Sequence, residues 1–214
     1  MSSHEVLNQK TKQRYSLYAQ FYPLLSLLAY YVIWRGNIFR HIRFFRDIVQ
    51  TKIKILDIAT GDGSLTAVAL RPDRNDKIAK LICLDISPEM LAKAKTKLKV
   101  PKCELVVGDV QQMPFENGEF AAISCFGGFN SFPDGPGALR EIYRVLASQG
   151  RVRGSVLLLP NAPWKQKKIQ QWIQEGYQTQ TISIDQFKRW VHDAKFSVST
   201  EVLIGDVLLF ELIK

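Results

Sequence analysis

The spacing of apolar positions changes along the chain, and each change marks a change of element. Residues 21–34 form the longest apolar stretch, with Leu24, Leu25, Leu27, Leu28, Tyr30, Tyr31, Val32 and Ile33. It reads as a helix, shorter than the roughly 20 residues a bilayer span needs. From residue 52 onward short, β-rich apolar runs take over, at 53–58, 81–84, 105–107, 120–126 and 152–159. Helical stretches separate them. Ser87-Pro88 supplies an N-cap and a first-turn proline. Met90, Leu91, Ala94 and Leu98 then recur at helical spacing, with Lys93, Lys95, Lys97 and Lys99 mostly off that stripe. Residues 138–146 give another helix. Strands alternating with helices predict a parallel, doubly wound α/β sheet. The alternation fails at the end. After a helix over 187–194, the runs 197–204 and 207–213 flank Gly205-Asp206, a turn signal, so the sheet finishes with a β-hairpin.

Composition adds bounds rather than detail. The 214 residues fit one domain, 1–214, with 1–50 as an N-terminal helical cap on a core of 51–214. An apolar fraction of 46% makes the chain globular. The three cysteines, Cys83, Cys103 and Cys125, form no CxxC and read as reduced thiols in a cytosol-like compartment. Residues 1–13 are polar, with no signal peptide in view, so a cytoplasmic chain is expected. No metal site is expected. The formal charge of +9 favours an anionic partner: nucleic acid, an acidic membrane surface or an anionic substrate. A merely solvated basic surface satisfies the same number. Arg35, Arg40, His41, Arg43 and Arg46 directly follow the apolar stretch. Aromatic bodies beside cationic heads suit peripheral contact with the inner face of a membrane. A helix packed on the domain, or over its own active site, fits the same residues.

The candidate chemistry sits at strand ends. In open parallel sheets ligands bind at the carboxyl ends of the strands, near the point where strand order reverses. Asp57 lies within the first strand, Asp85 after the second and Asp109 after the third. The loop 59–63 follows the first strand. Its Gly61 and Gly63 let backbone approach a ligand closely, and the helix behind it offers free N–H groups. A carboxylate at Asp85 can accept both hydroxyls of a ribose. Asp109 can accept from an adenine amino group, with Val110 against the ring. Together these imply an adenosine-containing cofactor. NAD uses the first two features, but its third glycine falls on Thr66, and it has no need of Gly108-Asp109 or of a terminal hairpin.

With these motifs in view the chain resembles the class I S-adenosylmethionine (SAM)-dependent methyltransferases. The resemblance covers residues 15–214 and rests on the runs 56–63, 84–91, 108–115 and 139–150. It implies a Rossmann-like, doubly wound sheet of seven strands with the last antiparallel. It also implies SAM as cofactor, held by Asp57, Ala59, Thr60, Gly61, Asp62, Gly63, Asp85, Ile86, Met90, Gly108, Asp109, Val110, Cys125 and Phe126. Within the class, Tyr15, Ala19 and Tyr22 match an aromatic-x3-Ala-x2-Tyr pattern. That pattern belongs to the ubiquinone/menaquinone-biosynthesis and phospholipid N-methyltransferases. The chain departs from it at Pro23, where Asp is usual. It also lacks the arginine of the stretch matched by 127–130, and the Glu-x-Ser after the fifth strand. The expected acceptor is small or lipophilic, quinone- or lipid-like.

Methyl transfer is an in-line displacement from a good leaving group, so positioning dominates. Only a hydroxyl or ring-carbon acceptor calls for a base. The resemblance places Tyr22 and Asn130 beside the methyl group, and His41 is the histidine candidate; His4 reads as terminal and His192 as surface or packing. Residues 160–181 read either as a lid over the acceptor site or as an ordinary helix on the sheet edge. An RNA methyltransferase and a non-catalytic SAM-binding protein are the alternatives. The absence of Asn-Pro-Pro-aromatic after the fourth strand argues against adenine-N6 chemistry.

Overall fold

A computed structural model describes residues 22–49, 52–71, 76–98 and 102–214, with the side chains of 22–26 outside that description. His4, Tyr15 and Ala19 lie outside the described residues. Helices α1 (Tyr22–Val32) and α2 (Ile38–Arg46) come first. Strand β1 (Ile53–Ile58), helix α3 (Ser64–Ala69), β2 (Ile78–Asp85), α4 (Pro88–Lys97), β3 (Cys103–Val107) and β4 (Phe120–Cys125) follow. A 3-10 turn (Gly128–Ser131) leads to α5 (Gly135–Val145), β5 (Leu146–Leu157), α6 (Pro163–Glu175), α7 (Ile184–Asp193), β6 (Ser197–Ile204) and β7 (Val207–Ile213).

The strands form one seven-stranded sheet in the order β3-β2-β1-β4-β5-β7-β6. Neighbours from β3 through β5 are parallel, and β7 runs antiparallel to both β5 and β6. The expected sheet and its closing hairpin are therefore present, and the order reverses between β1 and β4. Strand β5 begins earlier than its apolar run at 152–159. Helix α5 passes directly into it, and Leu146 pairs with Phe120 before the register shifts. The helix caps follow local chemistry. Ser87, Asp134 and Ser183 accept the N–H groups of Met90, Gly137 and Gln186 and so start α4, α5 and α7.

One face of the sheet carries the larger core, centred on Phe120, Phe129, Phe187 and Phe210. The other packs Ile55, Leu81 and Cys83 against α4 and the segment after α2. A third cluster joins Tyr30, Ile33 and Trp34 at the end of α1 to Ile169 of α6 and to Ile204, Val207 and Leu209 of the hairpin. The hairpin turn holds that end of α1: Asp206 N–H donates to the Trp34 carbonyl at 2.7 Å. The Trp34 indole donates to Leu158 O at 3.1 Å. No helix among the described residues is long and apolar enough to cross a membrane.

Candidate active site

The carboxyl ends of β1, β2, β4 and β5 open into a cavity of about 1470 Å³. Its first half is built from the glycine loop and the acidic strand ends. Gly61 adopts a left-handed φ of +60°, which turns its N–H onto Asp85 Oδ2 at 2.7 Å. Ser87 N–H donates to Oδ1 of the same carboxylate at 2.9 Å. Burial holds the Asp85 carboxyl above its ordinary range, while these N–H groups pull it back. Asp109 is fixed by the Gln111 N–H at 2.9 Å. Ile86, Met90 and Val110 supply apolar walls beside the two acids. Two carboxylates with an apolar slot between them suit a ribose and an adenine ring. The Thr60–Asp62 backbone beside them suits a polar tail.

Ala59, Thr60, Gly61, Asp62, Asp85, Ile86, Met90, Gly108, Asp109, Val110 and Phe126 all line this cavity. Three residues expected with them do not. Asp57 is fully buried beneath the loop, where the hydroxyls of Ser124, Thr66 and Thr60 donate to its carboxylate at 2.6, 2.6 and 3.0 Å. It ties β1, β4 and α3 together behind the wall. Gly63 faces α4 rather than a ligand: a Cβ there, at φ +73°, would lie 3.0 Å from Ala94 Cβ. Cys125 is fully buried in the core.

The second half is walled by Tyr30, Ile33, Trp34, Phe132, Leu157 and Trp172. Here the structure corrects another expectation. The Asn130 amide does not line the cavity. It clamps β5, donating to Leu157 O at 2.8 Å and accepting from Leu157 N–H at 3.0 Å. Tyr22 falls in α1, its side chain outside the described residues. His41 does line the cavity, on the inner face of α2, buried and stacked on Phe45 and Phe126 with centroids 5.0 and 5.9 Å away. Its Nδ1 meets Tyr30 Oη at 3.0 Å. Burial lowers His41 to about 4, so the ring is neutral at ordinary pH. His192 is exposed. The α6 residues Trp164, Lys167, Lys168 and Trp172 border the cavity, which places the segment read as a lid or a sheet-edge helix at the cavity's edge. Tyr30, Ser155 and Gln178 also line it and carry no motif; only the packing of α1, β5 and the loop after α6 brings them together.

Residues 56–153 match the family model described as a methyltransferase domain. That match makes the core of this chain similar to a methyltransferase domain. Such domains take SAM as methyl donor, and the acidic and apolar donor half of the cavity fits that group. The demethylmenaquinone methyltransferase of Thermus thermophilus is 38% identical over 112 residues, 51% of this chain and 49% of its own length. The chloroplastic 2-methyl-6-phytyl-1,4-hydroquinone methyltransferase of Arabidopsis thaliana is 30% identical over 135 residues, 61% of this chain and 39% of its own. The chain thus spans about half the length, or less, of these curated relatives. Among solved structures, a SAM-dependent methyltransferase from Aquifex aeolicus superposes with a TM-score of 0.62 at 15% identity, covering 86% of this chain and 92% of that one. The seven-stranded sheet is the class I methyltransferase fold.

Proposed function

We propose that this protein is a SAM-dependent methyltransferase whose acceptor is a lipophilic, quinone-like molecule drawn from an anionic membrane surface. The observation that carries the reading is a single cavity with two characters. One end has acids and the glycine-loop backbone; the other has an aromatic wall. The quinone and hydroquinone names of the curated relatives support the acceptor class.

Asp85 holds the ribose hydroxyls, Asp109 holds the adenine amino group, and Ile86, Met90 and Val110 contact the ring. The Thr60–Asp62 backbone receives the amino-acid tail. Bound there, SAM supplies an electrophilic methyl group on a sulfonium. The protein's own contribution is to position the acceptor and keep water out. Phe126, Trp34 and Trp172 form apolar walls suited to both tasks.

The mouth of the cavity suits a membrane. Leu27, Leu28, Val32, Val68 and Trp164 line it and are exposed. Phe39 is 79% exposed beside Arg40 and Arg43. Exposed apolar bodies among cations favour an anionic bilayer surface. On this reading the chain is cytoplasmic and meets the inner membrane face peripherally, a contact its exposed apolar and cationic residues suit.

Calorimetry with SAM, and with NAD as control, tests the donor half. Transfer of labelled methyl from SAM to short-chain naphthoquinols, phospholipids and RNA tests the acceptor. SAM binding with turnover on the naphthoquinol alone is expected. Binding without turnover on any of them would leave a SAM-binding protein that is not an enzyme.

A further inference from the structure

Three buried side-chain atoms have no hydrogen-bond partner among the described residues: His41 Nε2, Ser155 Oγ and Gln178 Oε1. They come from α2, from β5 and from the loop after α6. All three residues line the same cavity. Buried polar atoms are nearly always paired, because an unpaired one forfeits its water and gains nothing. Three around one cavity form a pattern that a ligand would complete.

The three residues border the loop that follows β4. The His41 ring stacks on Phe126. Ser155 Oγ lies 3.8 Å from where a Cβ on Gly127 would stand. Gln178 precedes Thr179, whose N–H and hydroxyl donate to Asn130 O at 2.9 and 3.1 Å and whose hydroxyl also donates to Phe132 O at 3.0 Å. The loop itself abuts the donor half, since a Cβ on Gly128 would lie 2.7 Å from Ala59 Cβ.

The chemistry of the set is specific. His41 Nδ1 is already taken by Tyr30 Oη, which fixes the ring and leaves only Nε2 to offer. The Tyr30 oxygen also faces the Asn37 backbone N–H. With the phenol proton directed to Nδ1, the imidazole proton sits on Nε2, which is then a donor. Gln178 Oε1 is an acceptor, and the Ser155 hydroxyl can play either part. The surrounding wall is apolar, and none of the three is a cation. Such a set recognises a neutral oxygen on an apolar body, not a phosphate or carboxylate.

We infer that His41, Ser155 and Gln178 form the subsite that binds a hydroxyl or carbonyl oxygen of the methyl acceptor, with Tyr30 positioning His41. The term acceptor rests on the methyltransferase reading; the preference for an oxygen-bearing apolar ligand does not.

Equilibrium dialysis of the full chain against 1-naphthol and naphthalene tests this without turnover. Wild type should hold 1-naphthol about tenfold more tightly, roughly one added hydrogen bond. His41→Phe keeps a ring on Phe45 and Phe126 and should erase the preference. Ser155→Ala should reduce it several-fold and yet melt no lower than wild type, since Oγ has no partner to lose. A residue held for structure would instead lower the melting point. Equal binding of the two probes by wild type, or an undiminished preference in Ser155→Ala, overturns the inference even if His41→Phe fails to fold. Calorimetry with SAM on the same proteins separates the two readings. Wild type that takes up no SAM sinks the methyltransferase proposal, while the naphthol preference is judged on its own result.

Discussion

Asp57 and His41 are both buried, and burial moves them in opposite directions. It raises the Asp57 carboxyl to about 6, against the pull of the Ser124, Thr66 and Thr60 hydroxyls and with a smaller push from the Asp85 charge. It lowers His41 to about 4. A raised acid binds its proton more tightly in the folded state. The stability Asp57 contributes is therefore complete below its unfolded value near 4 and lost as pH rises through 6. The depressed histidine does the reverse: its contribution is complete above about 6.5 and lost as pH falls through 4. Each displacement corresponds to roughly 3 kcal/mol, so the two oppose each other between pH 4 and 6. Asp85, also raised by burial, acts in the same sense as Asp57. Asp57→Asn should leave His41 less opposed, and the urea midpoint should climb more steeply from pH 4 to 6.5 than in wild type. An unchanged slope would show that Asp57 titrates like a surface carboxylate. Asp85 lies at the cavity, and Asp85→Asn should weaken SAM about tenfold or more in calorimetry, because a neutral amide accepts hydroxyls poorly and offers its N–H groups instead. Wild-type affinity in that variant would remove Asp85 from the donor site.

At the scale of elements, α2 matters most because it carries His41 and has little sheet contact of its own. Arg153 of β5 holds it. The guanidinium donates to the Phe44 carbonyl, lies 4.7 Å from the centroid of the Phe44 ring and pairs with Glu211 of β7 at 2.5 Å. Glu211 is 5% exposed, so losing Arg153 strands a buried charge. Ser199 at 3.1 Å and Arg151 at 3.9 Å remain near it, which puts Arg153→Ala at the lower end for a broken buried pair, about 3 kcal/mol in chemical denaturation. A cost under about 1 kcal/mol would show that these neighbours fully replace it. The outer faces of α1 and α2 have a different task in the proposed function. Leu28→Glu with Phe39→Glu should abolish flotation with anionic vesicles at low salt while leaving SAM affinity unchanged. Undiminished flotation would remove this face from the membrane contact.

At the scale of the molecule, a ligand that binds only the folded chain stabilises all of it. SAM at a hundredfold its dissociation constant should add about 2.7 kcal/mol and raise the melting temperature. SAH, which lacks the methyl group but keeps the ribose and adenine, should give a similar rise, because the proposed contacts of Asp85 and Asp109 do not involve that methyl. No rise with either would count against a preformed site. The cavity spans the end of the parallel sheet and the N-terminal helices, so its two halves come from distant parts of the chain.

What the chain's own order determines is whatever depends on neighbours in sequence. Short β-rich apolar runs, the Ser87-Pro88 cap, the Gly205-Asp206 turn and acids at strand ends are local. They were enough to give seven strands, the closing hairpin, the glycine loop and the acids Asp85 and Asp109 with Val110, while the resemblance supplied the rest of the eleven donor-wall residues. Packing decided the rest, because burial and hydrogen-bond partners are set by residues far apart in the chain. Asp57 reads as a ligand residue from its place in the motif. Ser124, distant in sequence, and the side chains of Thr60 and Thr66 take its carboxylate instead. Asn130 reads as an acceptor contact until Leu157 occupies both ends of its amide. Ser155 is one of several polar residues in β5 and has no sequence signal of its own. It joins His41 and Gln178 only because α2 and the loop after α6 close over the same end of the sheet.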